Sequence, residues 1–151
     1  MGFLSNLGKN LAEQAKRFAP AALSPEKRFA RGLITISALM TMADGSAEDS
    51  EVEKSSQIIA GHRSIQQHLT PADAHEMYGV IIGELQKAYT NSTSRLLEVN
   101  KRIAEIADSV KEPHWRRELI EFAGIMATSN SRGVAGDDER ALQKKLSEAL
   151  V

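Results

Sequence analysis

Gly32-Leu33-Ile34-Thr35-Ile36-Ser37-Ala38-Leu39-Met40-Thr41-Met42-Ala43-Asp44-Gly45 is an almost unbroken apolar run that stops abruptly at an acid. Phe29, Leu33, Ile36, Met40 and Ala43 recur at three- and four-residue steps, which is the period of one helix face. The run is apolar on its other faces too, so it predicts a helix buried inside a bundle. Upstream, Ser24-Pro25-Glu26 supplies an N-cap followed by proline at the first helical position. Downstream, Gly45 is the residue that most easily takes the left-handed conformation ending a helix.

The acids that follow are Asp44, Glu48, Asp49, Glu51 and Glu53, with no base before Lys54. A carboxylate at a helix C-terminus faces the negative end of the macrodipole, at a cost of roughly 0.3–1 kcal/mol. Asp44 therefore calls for a compensating contact, and a cation is one candidate.

Working outward, nearly every other segment also has helical period, and strand alternation is missing. A first helix is expected over residues 3–18, with Phe3, Leu7, Leu11 and Phe18 on one stripe. A third begins between Ser46 and Ser50 and runs to about Ala60, turning Val52 and Ile59 inward. A short extra turn is expected near residues 64–68. Thr70-Pro71 opens a long helix striped by Ala74, Met77, Ile81, Leu85 and Ala88. Asn91-Ser92-Thr93-Ser94 is a cap cluster before a helix expected to bury Leu96, Asn100, Ile103, Ala107 and Val110, with Leu97 and Ile106 widening that face. Pro113 starts the next helix, with Trp115, Leu119, Phe122, Ala123 and Met126 inward. Asp137 is expected to cap a last helix burying Leu142, Leu146 and Leu150. The prediction is an all-α single bundle of seven to eight helices. Residues 1–20 form an amphipathic N-terminal helix and residues 24–151 the main helical domain.

Composition narrows the function. The chain has 151 residues, 42% hydrophobic and 5% aromatic, so aliphatic side chains and methionine must fill the core. A net charge of −1 argues against a general nucleic-acid binder. The absence of cysteine removes disulfides, thiolate zinc sites and cysteine nucleophiles. No apolar run approaches the ~18 residues of a membrane span, and the N-terminus lacks a signal-peptide pattern, so a cytoplasmic protein is expected. Asn6 stands where a myristoylation signal wants Ser or Thr. No nucleophile elbow, Walker loop or dinucleotide fingerprint occurs, and the expectation is a non-enzymatic protein.

Two places share one grammar of apolar helix, glycine-containing acidic loop and amphipathic helix. Gly45 matches Gly133 and Glu51 matches Glu139 at the same spacing, while Asp44 matches Arg132. This arrangement, Ala43-Asp44-Gly45 with a second acidic helix start near the C-terminus, resembles the TerB-like tellurite-resistance family. The resemblance implies two pseudo-symmetric helical halves, a bacterial stress protein that docks other resistance-complex proteins, and association with the inner membrane as a further property. It also implies a weak divalent-cation site, Ca²⁺ or Mg²⁺, falling on Asp44, Glu48 and Glu51 and on Asp137, Asp138 and Glu139. Arg132 weakens the second set by supplying an internal counter-charge.

Hard cations need several oxygen ligands, and the first loop offers Asp44, Ser46, Glu48 and Glu51. It is not an EF-hand, because Asp49 occupies the sixth position, where glycine is required, and Ser55 the twelfth. The competing reading is that acids at a helix start serve capping and the dipole alone. His62, His68 and His75 lack the i, i+4 spacing of a helical zinc site and read as solvated or capping residues. Residues 1–31 hold six bases against two acids, a balance of +4, whereas residues 41–53 carry −5. The basic N-terminal helix, residues 3–18, is thus a candidate surface for an anionic membrane, with packing on its own bundle as the alternative. Arg95 and Asn100 read as solvent or interhelical contacts.

Overall fold

The computed structural model describes residues 11–130 and 136–151. Among these residues every regular element is helical. The chain runs through α1 (Leu11–Arg17), a 3-10 turn (Pro20–Ala22), α2 (Pro25–Thr41), α3 (Asp49–Gly61), α4 (Arg63–Gln66), α5 (Pro71–Ala88), α6 (Ser92–Ser109), α7 (Pro113–Asn130) and α8 (Asp137–Leu150). The all-α class expected from the periodicity is the architecture observed.

The central element is α2. Ser24 caps it by accepting the Lys27 N–H at 3.3 Å, and Pro25 takes the first turn. Every residue from Phe29 to Thr41 is buried, which is what an all-round apolar helix requires. Helices α3, α5, α6 and α7 pack around it, with α8 on α7 and α6. Trp115 of α7 stacks on Phe29 with ring centroids 5.2 Å apart. Gly32 lets α7 close in, since a Cβ there would lie 3.1 Å from a methyl of Leu119.

Three buried polar clusters are tied across elements. Arg31 donates through Nε to the Phe18 carbonyl at 2.8 Å and pairs with Glu105 at 2.5 Å, joining the end of α1, α2 and α6. Tyr78 donates to Thr41 at 3.3 Å, and Thr41 bonds Ser55 at 2.9 Å, linking α5, α2 and α3. Burial pushes the Tyr78 phenol up, against the lowering effect of its hydroxyl partners. Arg102 is 4% exposed and binds Glu98 at 2.7 Å and Glu84 at 3.2 Å. Burial alone would lower its pKa. The Glu98 hydrogen bond and the charges of Glu84, Glu98 and Glu105 outweigh burial, and the net shift is upward.

Helix α6 departs from the expected face. Ile103, Ile106 and Val110 are buried as predicted, but Leu96 is 49% and Leu97 65% exposed, Asn100 faces solvent, and Arg102 takes an inward position. The carboxylates of Glu84 and Glu98 make a buried guanidinium tolerable there, while Leu96, seven residues before Ile103 and on the same face, lies beyond the covered part of that face. At the N-terminus, α1 is described from Leu11 onward. Phe18 is buried, and Arg17 reaches Asp73 at 2.8 Å and Glu76 at 2.9 Å on α5. The expected contacts of Phe3 and Leu7 lie outside the described residues.

Candidate functional site

Helix α2 ends at Thr41, three residues before Asp44, and a turn closes by the Gly45 N–H donating to the Met42 carbonyl at 2.9 Å. Gly45 has φ of 106°, a region that L side chains rarely adopt, so glycine is needed there. Asp44 accepts the Ser46 N–H on Oδ1 at 3.2 Å, a local side-chain turn that supplies the compensating contact its position demands. The side chains of Asp44, Glu48 and Glu51 are all exposed. Glu48 occupies the N-cap of α3 without a side-chain capping bond, and Asp49 and Glu51 lie in the first turn, where their charge suits the dipole.

The second acidic cluster is arranged differently from expectation. The N-cap of α8 is Gly136, not Asp137. Asp137 stands one position inside the helix and forms an ion pair with Arg140, while the Glu139 carboxylate folds back against Gly136. A side chain at Gly136 would displace the end of that carboxylate, and Gly136 is the residue that stands at the N-cap. Asp138 points along a neighbouring groove. Arg132 and Gly133 lie outside the described residues. Among the described residues, no three His, Asp or Glu side chains group as a metal ion would need. As placed, the six acids serve a turn and two helix starts and do not converge on a point.

Arg95, expected to make solvent or interhelical contacts, is the charged residue that borders this turn. Its guanidinium lies against Gly45, in space that a side chain at 45 would fill. Asn91 caps α6 and exchanges bonds with Ser94 in a capping box, which fixes the first turn from which Arg95 projects. Arg95 and Ser92 line two adjoining depressions. One is a polar cleft of about 270 Å³ with Asp44, Ser46, Tyr89 and Asn91. Burial, with the Glu98 charge adding to it, pushes the Tyr89 phenol up to about 12, against the pull of Arg102 and Arg95.

The other depression is an apolar groove of about 290 Å³ between α2, α6 and α8. Leu39, Ala43, Leu96, Val99 and Leu142 supply its apolar lining, and Arg95, Lys145 and Asp138 its charges. The sequence did carry a signal for it. Leu96 and Val99 lie seven residues before Ile103 and Ile106, on the same face of α6, so they continue the core stripe toward the start of the helix, where it runs out into the groove.

The histidines sit apart from this region. His62 packs edge-on to Phe122 at 5.0 Å and is held below its ordinary value by burial, with the Glu118 charge opposing. His75 bonds Ser56 at 2.6 Å, and His68 contacts Phe29 edge-on. Ser56 and His75 have the separation of a nucleophile and base, but both lie mid-helix, where backbone N–H groups are already paired and cannot form an oxyanion hole. No protein-family model, no curated protein and no solved structure matches the chain.

Proposed function

We propose that this chain is a non-enzymatic helical module of the TerB type, working in bacterial tellurite and stress resistance by docking partner proteins. The observation that carries the reading is the loop after α2: glycine in a positive-φ turn, a local Asp44 bond to Ser46, and Asp44, Glu48 and Glu51 exposed to solvent. An exposed acidic surface on a rigid turn is suited to a basic partner face. In this reading the pseudo-symmetric halves are the hairpins α2–α3 and α7–α8, whose first helices pack together in the core. A divalent cation enters only as a weakly held ion gathered by the loop's charge, since the acids do not converge. Lacking cysteine, the chain has no thiol with which to reduce tellurite, so its contribution to resistance is indirect.

A calcium titration by calorimetry, on wild type and Asp44→Ala, tests the cation component. Saturable binding below millimolar that weakens in the variant supports it, and no saturation in wild type removes it. Mixing the chain with each protein encoded beside it tests docking. A partner whose affinity drops with added salt and with Asp44→Asn plus Glu48→Gln supports the reading, and binding indifferent to both overturns it.

The membrane alternative has lost part of its basis, because Arg17 is engaged with Asp73 and Glu76 and Phe18 is buried. What remains of it falls on residues 3–10, outside the described residues. Deleting residues 1–10 and comparing sedimentation with anionic vesicles separates the two.

A further inference from the structure

We infer that the groove between α2, α6 and α8 is a binding site for a single-chain anionic amphiphile, with a fatty carboxylate as the ligand class. This goes beyond the docking role above and requires neither the cation nor the resistance function.

Three observations carry it. First, the lining is dominated by aliphatic side chains from three helices, Leu39 of α2, Leu96 and Val99 of α6 and Leu142 of α8. Leu96 is left 49% exposed along it, so apolar area remains for a ligand chain to cover. Second, the charges are unbalanced. Arg95 and Lys145 line the groove against one acid, Asp138, so the groove's own lining carries a surplus of one positive charge, with Asp44 in the cleft on the far side of Arg95. Neither cation has an ion-pair partner among the described residues, and Lys145 spends a hydrogen bond at 3.0 Å on the neutral Asn100. A monoanionic head matches that surplus, and a guanidinium takes a carboxylate through two parallel hydrogen bonds. Third, Arg95 is preorganised. The capping box fixes its turn of α6, and the missing Cβ of Gly45 gives its head a seat. At about 290 Å³ the groove is at the small end of ligand clefts, ~300–1,000 Å³, so it suits one short chain and not a two-chain lipid.

Electrostatics places the head between Arg95 and Lys145. The polar cleft beyond Arg95 carries Asp44, which repels an anion, so the chain must lie on the apolar side.

The test is a titration of the full chain with decanoate below its micelle concentration, followed by calorimetry and amide NMR shifts, with decanol, decyl phosphate and acetate in parallel. Expected are saturable decanoate binding, shifts confined to residues 39–43, 92–99 and 138–145, and at least tenfold weaker binding of decanol and of acetate. Arg95→Gln should weaken decanoate at least tenfold and leave decanol unchanged, with thermal melting confirming the fold; Lys145→Gln serves as the second variant. Decyl phosphate binding more tightly than decanoate would overturn the carboxylate assignment. Decanol binding as tightly as decanoate would overturn recognition of the head. An absence of saturation, or shifts confined to another face, would overturn the site.

Discussion

Replacing Arg102 with methionine keeps most of the side-chain volume but removes the positive charge that Glu98 and Glu84 share. The carboxylates would be left partly buried without a partner, and breaking such a pair from one side costs roughly 3–5 kcal/mol. Urea denaturation should register a loss at the lower end of that range, because Glu84 keeps access to water at 32% side-chain exposure. His62 gives a second single-residue expectation. Its folded pKa lies below the unfolded value of 6.5, so the unfolded chain binds the proton more readily. The stabilisation from keeping it neutral is present above 6.5 and is lost as pH falls through 6.5 toward the folded value. Urea midpoints should therefore drop between about pH 7.5 and 5.5, and His62→Asn should flatten part of that slope. An identical drop in the variant would assign the effect elsewhere.

Among elements, the turn after α2 and the cap of α6 are the local devices most exposed to mutation. Gly45→Ala must place a Cβ at φ of 106° and displace Arg95, for a loss of about 1–3 kcal/mol. Asn91→Ala removes the capping box of α6 and should cost about 1 kcal/mol by thermal or urea melting. The helices themselves were legible in the sequence because Ser24-Pro25, Thr70-Pro71 and Asn91 to Ser94 are caps with local chemistry, and the structure uses each as read. Where the buried face of α6 ends, and that Arg102 joins it, was not legible. Its leucines at 96 and 97 look like core by hydrophobicity alone, and only Glu84, eighteen residues upstream of Arg102, together with Glu98, makes Arg102 an inward residue. The Asp137 assignment failed for a related reason. An aspartate before a helix is a good cap, but the carboxylate here finds Arg140 three residues on, and Gly136 takes the turn. For the candidate site, the acids were visible as a run of letters. Their lack of convergence and the seat of Arg95 on Gly45 depend on packing that no single segment encodes.

Over the whole molecule, α1 shows how two kinds of contact divide the work of holding an outer helix. Arg17 has 55% of its side chain exposed, and exposed ion pairs contribute about 0–1 kcal/mol each. Phe18 is buried at the junction of α1, α2 and α5, where truncation to alanine costs roughly 3–5 kcal/mol. Arg17→Ala should therefore lower stability only slightly and make it less sensitive to salt, whereas Phe18→Ala should lower it several-fold more at every salt concentration. The reverse order would mean that electrostatics docks α1.

The stacking of Trp115 on Phe29 also gives this bundle a built-in optical gauge. Trp115 is the only tryptophan in the chain, and it joins α7 to the central helix without lining either the groove or the polar cleft at the acidic turn. Its fluorescence reports the surroundings made by Phe29 of α2 and His114 of α7, and so the separation of these helices. Unfolding curves can be recorded with no label. A ligand that fills the groove or crowds Asp44 should leave the emission spectrum still, while raising the denaturant concentration at which it shifts.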